Sequence, residues 1–463
     1  MPPADTGTIR LMNPFDRSVI ACVPRDTAAG VESKLAAAQI AAWEWREVPL
    51  ANRIAQIDAI LLGVAADSEA AALEISLQMG KPLDQGRAEV RTFLDRARQS
   101  LADAPASLAA EVIEDSDLFH RAIVHEPKGV VLIIAAWNYP LLIAGNTLIP
   151  ALLAGNSVLL KHAAMTTLTG ARLAKWFESA GPPDLVQQIV AGHDEIAGII
   201  RDPRVDHVTF TGPVRGGREV SRVAAERFID LGLELGGKDP AYVAADADLP
   251  RTVESLVDGA CYNAGQSCCG IERVYVHASV YDEFVERAIP LMNAYRTGDP
   301  LTKGTTLGPM AQASSLDELD SQLGDAKAHG ASILTGGRRE GPFYLPTLVT
   351  GAPQASEIVQ EENFGPVLPV IRVFSDEEAI RLMNDSRYGL TASIWTSDPE
   401  RAAAMAGRLR AGVVFQNRCD YIDPALPWSG WGDSGRGSSL SRHGYYALTR
   451  RKGLHLRKAW PAV

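Results

Sequence analysis

The sequence predicts a doubly wound α/β fold, and three observations carry that prediction. From residue 129 onward, short apolar runs alternate with amphipathic helical segments. The links between them are short, which calls for parallel strands joined by right-handed crossovers. The first runs are apolar throughout, as expected of strands covered on both faces.

The elements follow in order. Residues 31–105 are rich in Ala, Leu, Glu, Arg and Gln at helical spacing and read as several amphipathic helices. GVVLIIAA (129–136) is a buried strand, and PLLIAGNTLIPALLAG (140–155) is a helix with proline in its first turn. NSVLLK, QQIV and DHVTFTG are further strands, separated by helices over 166–181 and 194–202 and followed by one over 216–228. The alternation resumes after 240 with strands ERVYVHA, LPVIRVF, LTASIWT and GVVFQN and helices near 249–262, 279–295, 314–329 and 398–408. Segments 108–126 and 437–463 fit neither body and read as extended strands used elsewhere.

With 463 residues the chain exceeds one ordinary core. A net charge of −11 speaks against a nucleic-acid surface, and the cluster Arg450, Arg451, Lys452 reads as a solvated face. Residues 129–160 carry no charged side chain, but Asn138, Pro140, Gly145, Asn146, Pro150, Gly155 and Asn156 interrupt them. A strand, helix and strand inside a large core explain the stretch better than a membrane span. The N-terminus has no secretory pattern. Five cysteines, two of them adjacent, make neither a disulfide framework nor a zinc site. The expected setting is reducing and cytoplasmic, with no metal.

Four places carry chemistry. NAGQSCCG (263–270) puts two cysteines in a glycine- and serine-rich turn, where a thiol is either a small buried hydrophobe or an activated nucleophile. LELGGK (233–238) sets Glu234 at a strand end, as a surface acid or as a base whose pKa burial raises. AAWNYP (135–140) puts Asn138 after a buried strand. Its amide either shapes the turn or donates to a developing oxyanion, which is worth about 3 kcal/mol. FTGPVRGG (210–217) joins a strand to a helix whose first amides can hold a phosphate.

In this order and spacing, these motifs resemble the aldehyde dehydrogenase superfamily. The resemblance runs from NPFDRSV through MGKP (79–82), AAWNYP, the LLK of 159–161, FTG, LELGGK and GQSCC to EENFGPV (361–367) and PWSGWGDSGRG (427–437). It implies a Rossmann-like cofactor domain over 1–107 and 127–236, an α/β catalytic domain over 237–436, and a small β oligomerisation element from 108–126 and 437–463. It further implies NAD or NADP as cofactor, a small aldehyde as substrate, and a homodimer or dimer of dimers.

By the same resemblance Cys268 is the nucleophile and Cys269 its neighbour. The oxyanion is held by the Asn138 amide and the Cys268 backbone amide. Hydride passes to the nicotinamide, and Glu234 activates water to hydrolyse the thioester. Glu362 reaches the nicotinamide ribose and Phe364 packs beside the ring. Lys161 reaches the adenosine ribose, Gly212 and Gly217 shape the pyrophosphate turn, and Trp137 lines the cleft. Ala164 stands where many members carry a ribose-binding Glu, which makes NADP admissible. Pro213 replaces a common Ser. Thr147 and Ser439 replace a Lys and a Glu near the thiol, leaving Glu234 without such a partner.

The expected substrate pocket comprises Leu142, Asn146, Ser267, Cys269, Tyr421 and Trp428, with Ile143 on the same helix. No Arg lies on that helix to clamp a carboxylate, which weighs against a semialdehyde acid. In the loop 416–428, Asp420 and Asp423 suit an amino or hydroxy aldehyde, and Arg418 suits an acid. Two other reactions use the same thiol: a cysteine hydrolase needing no nucleotide, and a coenzyme-A-acylating dehydrogenase, which the presence of Glu234 disfavours.

Overall fold

The computed structural model describes residues 7–460; the expected domain ends at 1–6 and 461–463 lie outside the described residues. Two mixed sheets, each mostly parallel, organise it. The first has six strands in the order Gly435–Arg436, Asp230–Glu234, Val205–Thr211, Val130–Ala135, Ser157–His162, Val186–Gln188. All pairs are parallel except Gly435–Arg436 against Asp230–Glu234. Chain order reverses between Val130–Ala135 and Val205–Thr211, so their C-terminal ends open the crevice in which such sheets bind ligands.

The Val130–Ala135 strand shows why the run is uniformly apolar. Val131, Ile133 and Ala135 enter a core built from the helices Leu50–Ala66, Ser68–Met79, Leu83–Ser107 and Pro140–Ala154. Val130, Leu132 and Ile134 enter a second core with the helices His193–Arg201 and Val214–Ala224. Helices thus cover both faces. All of Pro140–Ala154 except Ile143 is buried, and Gly155 ends it in a left-handed cap at φ 97°. Among the described residues no helix is long and apolar enough to cross a membrane.

The second sheet has seven strands, ordered Ser332–Thr335, Thr347–Thr350, Val367–Val373, Ile271–His277, Asp239–Val243, Thr391–Trp395, Val413–Gln416, and only the first pair is antiparallel. Glu234 closes a strand of the first sheet, whereas Lys238, Cys268 and Phe364 come just before strands of the second. The connections therefore bring the C-terminal edge of one sheet to the N-terminal edge of the other.

Several elements differ from the sequence reading. Asp239–Val243 is a central strand that DPAYV does not announce, because it is five residues long and includes a proline. The hairpin Thr8–Met12/Val19–Pro24 and the helix Asp376–Asn384 were also unread. The helix expected over 166–181 ends at Trp176. Segment 108–126 supplies the strand Glu111–Asp115 and most of Phe119–Pro127, which pairs antiparallel with Thr449–Arg457. The tail first forms a helix, Ser441–Ala447, whose Tyr445 and following Leu448 enter the first core.

Candidate active site

The cysteine turn is built on unusual backbone. Asn263 and Ala264 hold φ of 54° and 55°, and Gly265 follows at 71°. A Cβ on Gly265 would lie 2.2 Å from the Gly365 carbonyl, so only glycine lets the two loops touch. Gln266 is pinned at both ends: its Nε2 donates to the Asn263 carbonyl (3.0 Å), and its Oε1 accepts from the Ala311 amide (2.9 Å).

The same turn holds Asn138. Asn138 Nδ2 donates to the Gln266 carbonyl at 3.2 Å, and Asn263 Nδ2 donates to the Asn138 carbonyl at 3.2 Å. Among the described residues nothing accepts from the Cys268 backbone amide. Cys268 is half-buried, packed beside Trp428, Leu390 and Leu440, and Cys269 is buried.

Glu234 lies beside this turn. A Cβ on Gly237, three residues on, would fall 2.7 Å from the Cys268 carbonyl. The Glu234 carboxylate accepts from Thr211 Oγ1 (3.3 Å) and from Ser439 Oγ. Trp428 and Ser439 exchange backbone hydrogen bonds of 2.8 and 3.0 Å, which carries the Ser439 hydroxyl to the base and Trp428 into the cluster on which Cys268 packs. Burial raises the Glu234 pKa above the usual carboxylate range, against the lowering effect of the two hydroxyls and Arg96.

A second group stands where the two sheets meet. Glu362 Oε1 accepts from the Gly237 amide at 3.1 Å, and burial beside Glu272 pushes its pKa up to about 8. Glu272 accepts from the amides of Asn363 (2.9 Å) and Phe364 (3.0 Å) and from Lys238 Nζ (2.8 Å), fixing the turn. Phe364 meets Trp137 edge-on, with centroids 5.6 Å apart.

Residues suited to a dinucleotide stand at the C-terminal ends of the first sheet's strands. The helix Val214–Ala224 starts without a side-chain cap or first-turn acid, leaving amides for a phosphate. The Gly212 amide donates to the Glu234 carbonyl (3.1 Å). A Cβ on Gly217 would strike Leu235 at 2.6 Å, so this glycine serves helix-to-strand packing. Lys161 is half-buried near Arg25 with no ion pair among the described residues, and Ala164 is exposed.

Comparison with known proteins accords with this geometry. The model of the aldehyde dehydrogenase family matches residues 2–454. The chain belongs to the aldehyde dehydrogenase family. It is 34% identical to a 3,6-anhydro-alpha-L-galactose dehydrogenase of Streptomyces coelicolor, over 98% of this chain and 94% of that protein. It is 38% identical to succinate-semialdehyde dehydrogenase [NADP(+)] 1 of Mycobacterium ulcerans, over 82% of this chain and 84% of that protein. An NAD-dependent aldehyde dehydrogenase from Sinorhizobium meliloti superposes with a TM-score of 0.95 at 33% identity, covering 99% of this chain and 93% of the other. The enzyme is therefore an NAD(P)-dependent aldehyde dehydrogenase with a Rossmann-like cofactor fold.

Around this dehydrogenase's thiol the expected pocket residues divide. Ser267 Oγ donates to Asp420 Oδ1 (2.9 Å) and Cys269 Sγ to the same oxygen (3.2 Å). Leu142 is buried at the start of its helix, Thr147 is buried farther along, and Trp428 is 3% exposed. Tyr421 is exposed beneath the Arg418 guanidinium, which lies 3.3 Å from its ring centre. Two contacts go beyond the sequence reading. The Ser439 hydroxyl partners Glu234, carried there by the Trp428 pairing. No arginine stands on Pro140–Ala154, as expected, but one donates to its Asn146 from the helix Leu83–Ser107.

That residue is Arg96. One face of Leu83–Ser107 tracks along Pro140–Ala154 at helical spacing. Glu89 accepts from the Leu141 amide (2.9 Å), Phe93 presses on Gly145, where a Cβ would meet it at 2.6 Å, and Arg96 donates to Asn146 Oδ1 (3.2 Å). Glu89 also pairs with buried Lys81 of the MGKP motif at 2.5 Å, and Lys81 Nζ lies 4.0 Å from the centre of the Tyr139 ring. The signal in the sequence was charged residues on an otherwise apolar helical stripe.

Proposed function

We propose that this dehydrogenase converts a small polar aldehyde to the carboxylic acid through a thioester on Cys268. The observation carrying this reading is the hydrogen-bonded turn that ties Asn138 to Gln266, two residues before the thiol, and leaves the Cys268 amide without an acceptor among the described residues. The Cys268 thiolate adds to the carbonyl, and the Asn138 amide and Cys268 backbone amide receive the oxyanion. A bound nicotinamide would supply the acceptor for the hydride that leaves the former aldehyde carbon. Glu234 then takes a proton from water as the water attacks the thioester, and its burial-raised pKa suits it to that task.

Glu362, Phe364 and Trp137 hold the nicotinamide end, and the Val214 helix start, Lys161 and Ala164 the adenosine end. The Lys161 ammonium, without an ion-pair partner among the described residues and with no acid at 164, favours the extra phosphate of NADP. The relatives' names, one a sugar-derived aldehyde and one succinate semialdehyde, support a small polar substrate. The division into cofactor body, catalytic body and oligomerisation ribbon follows the same reading.

The test is cofactor reduction, followed by near-ultraviolet absorbance, with a panel of aldehydes and NAD or NADP separately. Wild type reduces cofactor, NADP with the lower KM, and Cys268→Ala does not. Undiminished reduction by Cys268→Ala, or ester cleavage with no nucleotide dependence and no reduction, refutes the reading.

A further inference from the structure

Arg96 is a cation in want of an anion. Its Nη1 donates to Asn146 Oδ1 at 3.2 Å and its Nη2 to the Ile422 carbonyl at 3.4 Å, both long contacts to neutral oxygens. Its Nε is buried without a partner, and among the described residues it forms no ion pair. A guanidinium has five N–H donors and keeps its charge, so enclosure without a counter-charge is costly.

Every nearby acid is engaged elsewhere. Glu89 is held by Lys81 and the Leu141 amide, and Glu234 by Thr211 and Ser439. Asp420 accepts from Ser267 and Cys269, and Asp423 from the Ala425 amide within its own turn. Yet Arg96 stands close to the thiol: its partner Ile422 packs on the same cluster of Cys269, Leu390, Trp428 and Leu440 as Cys268 does, and its charge is felt at Glu234. It stands where the Leu83–Ser107 helix, the Pro140–Ala154 helix and the loop through Ile422 converge. Asn146 lies about 9 Å along the helix axis from Pro140, at 1.5 Å per residue.

We infer that Arg96 is the specificity residue for a short aldehyde bearing a carboxylate at its far end. That carboxylate takes the N–H groups of the guanidinium that Asn146 and Ile422 leave unused, in the paired geometry that suits arginine. Asn146, in turn, orients the guanidinium. The inference rests on the thioester reading, which puts the aldehyde end at Cys268 beside Asn138.

The experiment compares succinic semialdehyde with butanal, an uncharged aldehyde of equal chain length, in wild type, Arg96→Gln and Arg96→Lys. Loss of the guanidinium should lower kcat/KM for the acid on the order of 100-fold relative to butanal, mostly through KM. Arg96→Lys should recover part of it. Succinate should protect Cys268 from alkylation in wild type and fail to do so in Arg96→Gln, a readout that needs no turnover. Equal losses on both substrates, or undiminished succinate protection in Arg96→Gln, overturn the assignment while leaving the thioester chemistry standing. Failure of wild type to oxidise either aldehyde overturns both. If glyceraldehyde is the preferred substrate and is equally sensitive to Arg96→Gln, the site reads hydroxyls and the carboxylate assignment falls.

Discussion

At the scale of single residues, the account turns on how Glu234 is held. Two hydroxyls donate to its carboxylate and favour its charged form, while burial opposes that charge. Removing a donor must therefore raise the pKa further. Ser439→Ala should move the acid limb of the kcat–pH profile upward by roughly 0.7 unit, the equivalent of about 1 kcal/mol for one hydrogen bond. A limb that stays in place or moves down would separate Ser439 from the base. The roles proposed for Asn138, Glu234 and Cys268 come from the motifs around them in the sequence. The Ser439 contact was not legible, since it depends on a bridge between residues far apart in sequence, Glu234 and a tail fixed by Trp428. The place of Arg96 was not legible either, because it depends on which helix packs against Pro140–Ala154, and no local pattern encodes that.

At the scale of elements, the start of the Pro140–Ala154 helix positions the site, and Glu89 is its cap across space. The Glu89 carboxylate serves the Leu141 amide in a location where the preceding Tyr139 side chain makes no cap bond. Lys81 neutralises that buried carboxylate. Lys81→Met should therefore cost about 3–5 kcal/mol of stability, because it strands a buried charge. Denaturant unfolding measures this, and a loss under about 1 kcal/mol would show the pair to be dispensable. The MGKP motif thus acts through packing under the site. Helices and alternating strands were readable from periodicity, whereas Asp239–Val243 was not. Its place in the middle of the sheet is fixed by pairing with Ile271–His277 and Thr391–Trp395, which no local pattern encodes.

At the scale of the whole molecule, the doubly wound first sheet was foreseen and its meeting with the second sheet was not. The joining strap is the polypeptide after Trp428: Gly435 pairs with Glu234, and Ser434 Oγ donates to the Gly236 carbonyl at 2.7 Å while accepting from the Gly389 amide at 3.0 Å. The ribbon of Glu111–Asp115, Phe119–Pro127 and Thr449–Arg457 stands apart, with Val112 57% and Ile113 61% exposed. A three-stranded ribbon whose outer strands are largely exposed needs a partner. We propose that a second copy provides it. Deleting residues 449–463 should give a protein that fails to assemble or aggregates, as read by light scattering, and a soluble active oligomer would refute this.

The central claim is a thioester on Cys268 that Glu234 clears, and trapping it tests that claim most directly. Glu234→Gln, mixed with aldehyde and NADP, should release one equivalent of reduced cofactor per site and then nearly stop. Its intact mass should rise by the acyl group, mapped by peptide analysis to Cys268. Continued turnover at the wild-type rate with no added mass, or an acyl group found on Cys269, would contradict the account.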